Sequence, residues 1–140
     1  MTRRRLLSTL VTVALLGGCL GRSLPLPPPS VTSQSVTECA ASVCPSGGVT
    51  VTLEGTALPN ATVVVEDLNP AQMGARGELL AVVTRADDEG AWRAILGPRR
   101  DPDSERVLAP QRGDTVQVWQ VSVEGDASGV RRVVIPRGAM

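Results

Sequence analysis

The sequence predicts an all-β protein, with a single small antiparallel β-sandwich behind a leader and a tether. Three observations predict it. From Gly48 onward, apolar residues recur with a period of two in short runs, as they do on strands with one buried face. Gly, Pro, Asn and Asp punctuate those runs, and 14 Gly and 11 Pro suit a turn-rich chain. Apart from the leader, no segment carries a convincing helical period. A chain of 140 residues has room for one such domain and one core.

Residues 1–18 read as a signal peptide: Arg3, Arg4 and Arg5 precede an apolar stretch from Leu6 to Leu16. That stretch is too short for a permanent span, which needs about 20 apolar residues. Its end, Leu16-Gly17-Gly18-Cys19, resembles the bacterial lipobox. The resemblance implies cleavage before Cys19, lipid on that thiol, and attachment to a bacterial envelope membrane. Leu20 is not the aspartate that holds enteric lipoproteins in the inner membrane, so the outer membrane is favoured. The arginine run also resembles a twin-arginine signal, but Phe and Lys are missing from their expected places, and Sec export is the default.

Residues 19–38 are assigned to the lipid anchor and a Pro/Ser-rich tether. Leu24-Pro25-Leu26-Pro27-Pro28-Pro29 favours extended polyproline II geometry, a semi-rigid spacer. A ligand for a proline-binding module is the sharper reading of this run, and nothing else in the chain supports it. The domain is assigned to residues 39–140. Once Cys19 is lipidated, Cys39 and Cys44 form an even pair, and export makes a disulfide the simple expectation. A redox pair would normally be Cys-x-x-Cys, whereas four residues intervene here.

In the first strand Val49, Val51 and Leu53 share one face against Thr50, Thr52 and Glu54. Leu58-Pro59-Asn60 turns into a second, Ala61 to Asp67, with Val63 and Val65 opposite Val64 and Glu66. Glu78 to Ala86 gives a third, Asp87-Asp88-Glu89-Gly90 a turn, and Ala91 to Leu96 a fourth with Trp92, Ala94 and Leu96 inside. Asp114 to Glu124 supplies a fifth. There Val116 and Val118 alternate in one phase and Trp119, Val121 and Val123 in the other, which predicts a bulge or burial on both faces. Gly129 to Pro136 is the last, with Val130, Arg132 and Val134 on one side.

The residues Gly55-Thr56-Ala57, Pro59-Asn60-Ala61-Thr62-Val63-Val64-Val65, Thr84-Arg85-Ala86-Asp87-Asp88-Glu89-Gly90-Ala91-Trp92 and Gly113-Asp114-Thr115-Val116 carry a resemblance. It is to bacterial immunoglobulin-like and carboxypeptidase-regulatory-like domains, over about Gly48 to Pro136. Asn60 stands where Gly is usual, and the Gly97 to Arg112 stretch is long. The resemblance implies an immunoglobulin-like sandwich acting as a spacer, adhesin or binding module, since a fold names no chemistry.

Composition narrows function further. There is no His, Tyr, Phe or Lys, so Ser/His and Cys/His couples, Schiff bases and imidazole ligation of zinc are absent. Residues 19–140 hold 11 Arg against 14 acids, a formal charge of −3 without a basic cluster, which argues against a nucleic-acid partner. No catalytic residue, metal or cofactor is expected. Asp87-Asp88-Glu89 and Asp101-Pro102-Asp103-Ser104-Glu105 offer hard oxygens to calcium but match no EF-hand loop, and solvated loop charges are the plainer reading. Arg112-Gly113-Asp114 and Asn60-Ala61-Thr62 read as turns.

Trp92 is expected in the core. Trp119 is either core or, exposed on a strand face, a contact for sugar or protein. The expected function is therefore a lipid-anchored, non-catalytic domain offered to an envelope protein or polysaccharide. A structural spacer or accessory subunit is the alternative, and a carboxylate-dependent hydrolase the residual one. An exposed Trp119 or an apolar patch favours binding; a uniformly polar surface favours the spacer.

Overall fold

In the computed structural model, which describes residues 24–138, the alternating runs become an antiparallel β-sandwich. The strands are β1 (Ser30–Glu38), β2 (Val49–Thr56), β3 (Thr62–Asp67), β4 (Ala81–Arg85), β5 (Ala91–Leu96), β6 (Arg99–Arg100), β7 (Val107–Leu108), β8 (Thr115–Val121) and β9 (Arg131–Val134). One sheet has the order β1-β2-β5 and the other β4-β3-β8-β9, while β6 and β7 make a small separate hairpin.

Side-chain alternation sets both inner faces. On β2, Val49, Val51 and Leu53 point inward and are almost completely buried; on β5, Trp92, Ala94 and Leu96 do the same. They meet Val63, Val65, Val116, Val118 and Ile135 of the opposing sheet in one core. A fully buried side chain of this size contributes roughly 1.5–3 kcal/mol, so this cluster is the main support of the fold. The tight β4–β5 connection carries the chain from one sheet to the other. Its turn is held by Asp87, whose Oδ1 accepts from the N–H groups of Glu89 and Ala91. Gly90 closes the turn at φ 87° with its Cα against the Ala57 carbonyl, where a β-carbon would clash.

The phase change expected in the fifth strand does not occur. β8 keeps unbroken register with β3, from Val116 opposite Asp67 to Val121 opposite Thr62. Val116, Val118 and Gln120 form the inner face, and Trp119 and Val121 the outer one. The sequence misleads because the third inner position is a buried Gln rather than a Val. Gln120 is satisfied there: its Oε1 accepts from Leu58 N at 2.8 Å and its Nε2 donates to Pro27 O at 2.8 Å.

The tether is also shorter than assigned. β1 lies inside residues 19–38, yet it pairs with β2 along its whole length, with one irregularity between Val31 and Ser33. An edge strand needs little apolar content: only Val31 and Val36 of β1 pack against the core, so Ser and Thr fill the rest. The proline run docks as well. Pro29 is fully buried, Leu26 forms a parallel bridge with Ser128, and Arg131 Nε donates to Pro29 O at 2.9 Å.

Candidate functional site

Antiparallel register places opposite residues on the same face of a sheet. On the outer face of the β4-β3-β8-β9 sheet, Val83 lies opposite Val64, and Val64 opposite Trp119. Continuing the β8–β9 register by one residue brings Val130 beside Trp119. The result is an apolar row across the sheet. Its two ends are open to solvent, Val83 at 63% and Val130 at 48% exposure, while Trp119 is half-buried and Val64 lies beneath its neighbours.

The adjacent row on that face starts at Ala81 and is otherwise polar: Glu66, Gln117 and Arg132. Glu66 organises it. Its Oε2 accepts from Gln117 Nε2 at 2.6 Å and from the indole Nε1 of Trp119 at 3.4 Å. An indole with its polar edge pinned on a carboxylate that an amide also holds forms an amphipathic platform. Such a platform suits stacking against a sugar ring or packing against an apolar side chain, with hydrogen bonds alongside.

The other sheet presents a different outer face. Ser33, Ser35 and Thr37 of β1 lie opposite Glu54, Thr52 and Thr50 of β2, and Glu54 pairs with Arg93 at 3.3 Å. Hydroxyls dominate that surface, with Ile95 as its exposed apolar residue.

The remaining sequence-derived residues fall at separate places. Cys19 and the leader lie outside the described residues. Cys39 and Cys44 form a disulfide with Cα atoms 5.7 Å apart, closing the loop between β1 and β2. Trp92 sits in the core as expected, though its Nε1 has no hydrogen-bond partner. Arg112-Gly113-Asp114 is a turn with Gly113 at φ 91°, and Asn60 takes φ 60°, a conformation Asn tolerates where the resemblance expects Gly.

The second acidic loop is more built than a solvated charge run. Asp101 is buried and accepts from Ala75 N, Asp103 N and Ser104 Oγ, while Arg76 pairs with Asp103 at 2.9 Å. The Ser104 hydroxyl, followed by the Ala75 amide, holds the Asp101 carboxyl below its usual range. Carboxylate oxygens of Glu78, Asp101 and Asp103 lie within 4.8 Å of one another, a spacing a hard cation could bridge. Both Asp101 oxygens, however, already accept protein donors, and the loop reads as a clasp between the segments before β4 and after β6.

One site has no signal in the sequence. Asp67 ends β3 after Val63-Val64-Val65-Glu66, where an acid would ordinarily face water, yet it is fully buried. Its Oδ1 accepts from Asn69 N at 2.9 Å, and its Oδ2 meets no donor. Asp114 is the neighbouring carboxylate, taking Asn69 Nδ2 and Gln111 N on its own oxygens. Burial above all, then the hydrogen bond and charge of Asp114, push Asp67 up to about 7, against the opposing Asn69 amide. Protonated, Asp67 Oδ2 becomes the donor that the pair otherwise lacks. Asp67 is sealed from solvent while Asp114 is half-buried, so the buried member of the pair is a structural proton-holding group rather than an exposed acid.

Compared with known proteins, the chain matches no family model and no curated sequence.

Proposed function

We propose that the chain is a bacterial envelope lipoprotein, cut before Cys19 and lipid-anchored there, whose sandwich presents the Trp119 face to a protein or polysaccharide partner without catalysing a reaction. The observation that carries the binding half is the apolar row Val83, Val64, Trp119 and Val130, flanked by the Glu66–Gln117–Arg132 row. The lipobox-like Leu16-Gly17-Gly18-Cys19 carries the anchoring half. The chain already docks on the domain at Leu26, so the seven residues 20–26 lead from Cys19 to that contact, and even fully extended at about 3.5 Å each they hold the domain within roughly 25 Å of the bilayer surface. A lipid anchor with two or more chains is effectively permanent, so any partner is met at the membrane. The hydroxyl-rich face of the other sheet supports the second reading, a spacer that needs only to stay soluble.

The test is crosslinking of intact bacterial cells expressing the full, tagged gene, followed by mass spectrometry of what co-purifies. The binding reading expects a discrete partner that is lost both in Trp119→Ala and in Cys19→Ala. A partner retained by Trp119→Ala moves the site elsewhere. No partner from an acylated, membrane-bound wild type leaves the spacer. An unacylated Cys19 removes the anchor.

A further inference from the structure

Two sheet edges face each other without joining: β1 ends one sheet and β9 the other. Between them runs a cleft of about 300 Å³, lined by Val31, Ser33 and Gln34 on one side and Arg131, Arg132 and Val133 on the other. It is closed at one end, where Gly129 N donates to Leu26 O and Arg131 Nε to Pro29 O. Further along, side chains span the two edges: Gln34 Nε2 donates to Val134 O at 3.4 Å, and Arg112 reaches both Pro136 O and Glu38 Oε1.

The backbone of β9 is offered to this cleft. Ile135 exchanges both of its bonds with the turn leading into β8: its N–H donates to Asp114 O and its carbonyl accepts from Gly113 N. A strand residue points its N–H and C=O to the same side, and that side alternates along the chain. Val133 and Arg131 therefore face β8, whereas the N–H and C=O groups of Arg132 and Val134 face the cleft. Gln34 has taken the Val134 carbonyl, which confirms the direction. Unpaired edges of this kind are templates for an added strand.

Charge selects the occupant. Among the described residues neither Arg131 nor Arg132 lies within ion-pair distance of a carboxylate, and no acid lines the cleft. Facing arginines repel a second β9 edge, which guards against self-pairing, and attract an acidic strand. Half-buried Val31 and Val133 form an apolar floor for a side chain of the incoming segment. We propose that the cleft between β1 and β9 accepts an extended acidic segment of a partner protein, added as a strand along β9. This surface shares Arg132 with the polar row beside Trp119 but does not include the indole, so the Trp119→Ala comparison separates the two readings.

The probe is a synthetic peptide of about eight residues alternating Glu and Val, long enough for one strand, titrated against the full-chain protein in detergent. It is compared with a Lys/Val counterpart and with a version N-methylated on alternate backbone amides. The expected result is binding by the Glu peptide at least about tenfold tighter than by the Lys peptide, and loss of that binding on N-methylation. Arg132→Pro removes a cleft-facing donor that β8 does not use, so the fold tolerates it and binding falls. The double change Arg131→Glu with Arg132→Glu reverses the preference, and Trp119→Ala leaves it unchanged. No binding by the Glu peptide overturns the proposal. So does binding that survives N-methylation, or that dextran sulfate displaces as readily as unlabelled peptide, because that is anion exchange on arginines and not strand addition.

Discussion

Replacing Asp67 with Asn should stabilise the protein at alkaline pH and leave it nearly unchanged in acid. Asn is the neutral isostere of a protonated Asp: its oxygen keeps the bond from Asn69 N, and its Nδ2 donates toward Asp114 as the carboxylic proton would. In the folded protein the Asp67 carboxyl titrates at about 7, against 3.8 for an unperturbed Asp. Between those values the folded state holds a proton that the unfolded state has released, so unfolding becomes easier as pH rises. Stability from the protonated group is complete below 3.8, declines through the interval and is gone above 7. The interval from 3.8 to about 7, at 1.36 kcal/mol per pH unit, comes to roughly 4 kcal/mol. Asp67→Asn should therefore exceed the wild type by up to about 4 kcal/mol at pH 8, a Tm gain on the order of 10 °C for a domain of this size.

The assay is urea unfolding of both proteins from pH 4 to 8.5, taking the difference at each pH so that all other titrating groups cancel. A difference that stays flat between pH 5 and 8 refutes the buried proton. Asp114→Asn should retain most of the pH dependence, because burial of Asp67, and not its neighbour, is the largest cause of the shift.

Other outcomes follow from single contacts. Gly55→Ala would drive a β-carbon into the Ser30 backbone, which cannot yield without moving β1, so a loss above about 2 kcal/mol is expected in urea unfolding. Gln120→Leu strands Leu58 N and Pro27 O at a cost of about 1–3 kcal/mol. It should also expose the chain before Ser30 to proteolysis. Asp101→Ala should speed amide exchange at Ala75 and Asp103, whose N–H groups the carboxylate holds. Because the Asp101 carboxyl sits below 3.8, its contribution is present above that value and is lost as pH falls through the lowered one. The variant should thus show a shallower acid transition by circular dichroism.

Much of the sandwich was legible because alternation is a local property. The Val49-Val51-Leu53 and Trp92-Ala94-Leu96 faces follow from period-two pattern and turn chemistry, and β5 begins and ends where the pattern places it. Asp87-Asp88-Glu89-Gly90 and Arg112-Gly113-Asp114 are turns for equally local reasons. The expected pairing of Cys39 with Cys44 needs only proximity in the chain.

Where sequence reasoning fell short, the deciding neighbour was distant in the chain. β1 looks like tether because its Ser and Thr content is high, and only pairing with β2 makes it a strand. Gln120 breaks the apolar phase of β8, and its partners Leu58 and Pro27 come from two remote segments. Trp119 could be assigned to a strand but not to a face until β8 registered against β3, which set Val64 and Glu66 beside it. Asp67 and Asp101 look like ordinary surface acids in the sequence, and their burial comes from packing against Asp114 and Ala75 respectively. The sequence by itself determined that the chain is β-rich, where most strands lie and that the leader resembles a lipoprotein's, since periodicity and short motifs involve only neighbours. Tertiary structure alone decided which sheet edges stay open, which face carries the indole and which carboxyl keeps its proton. Those depend on register, burial and charge between segments that the linear order keeps far apart.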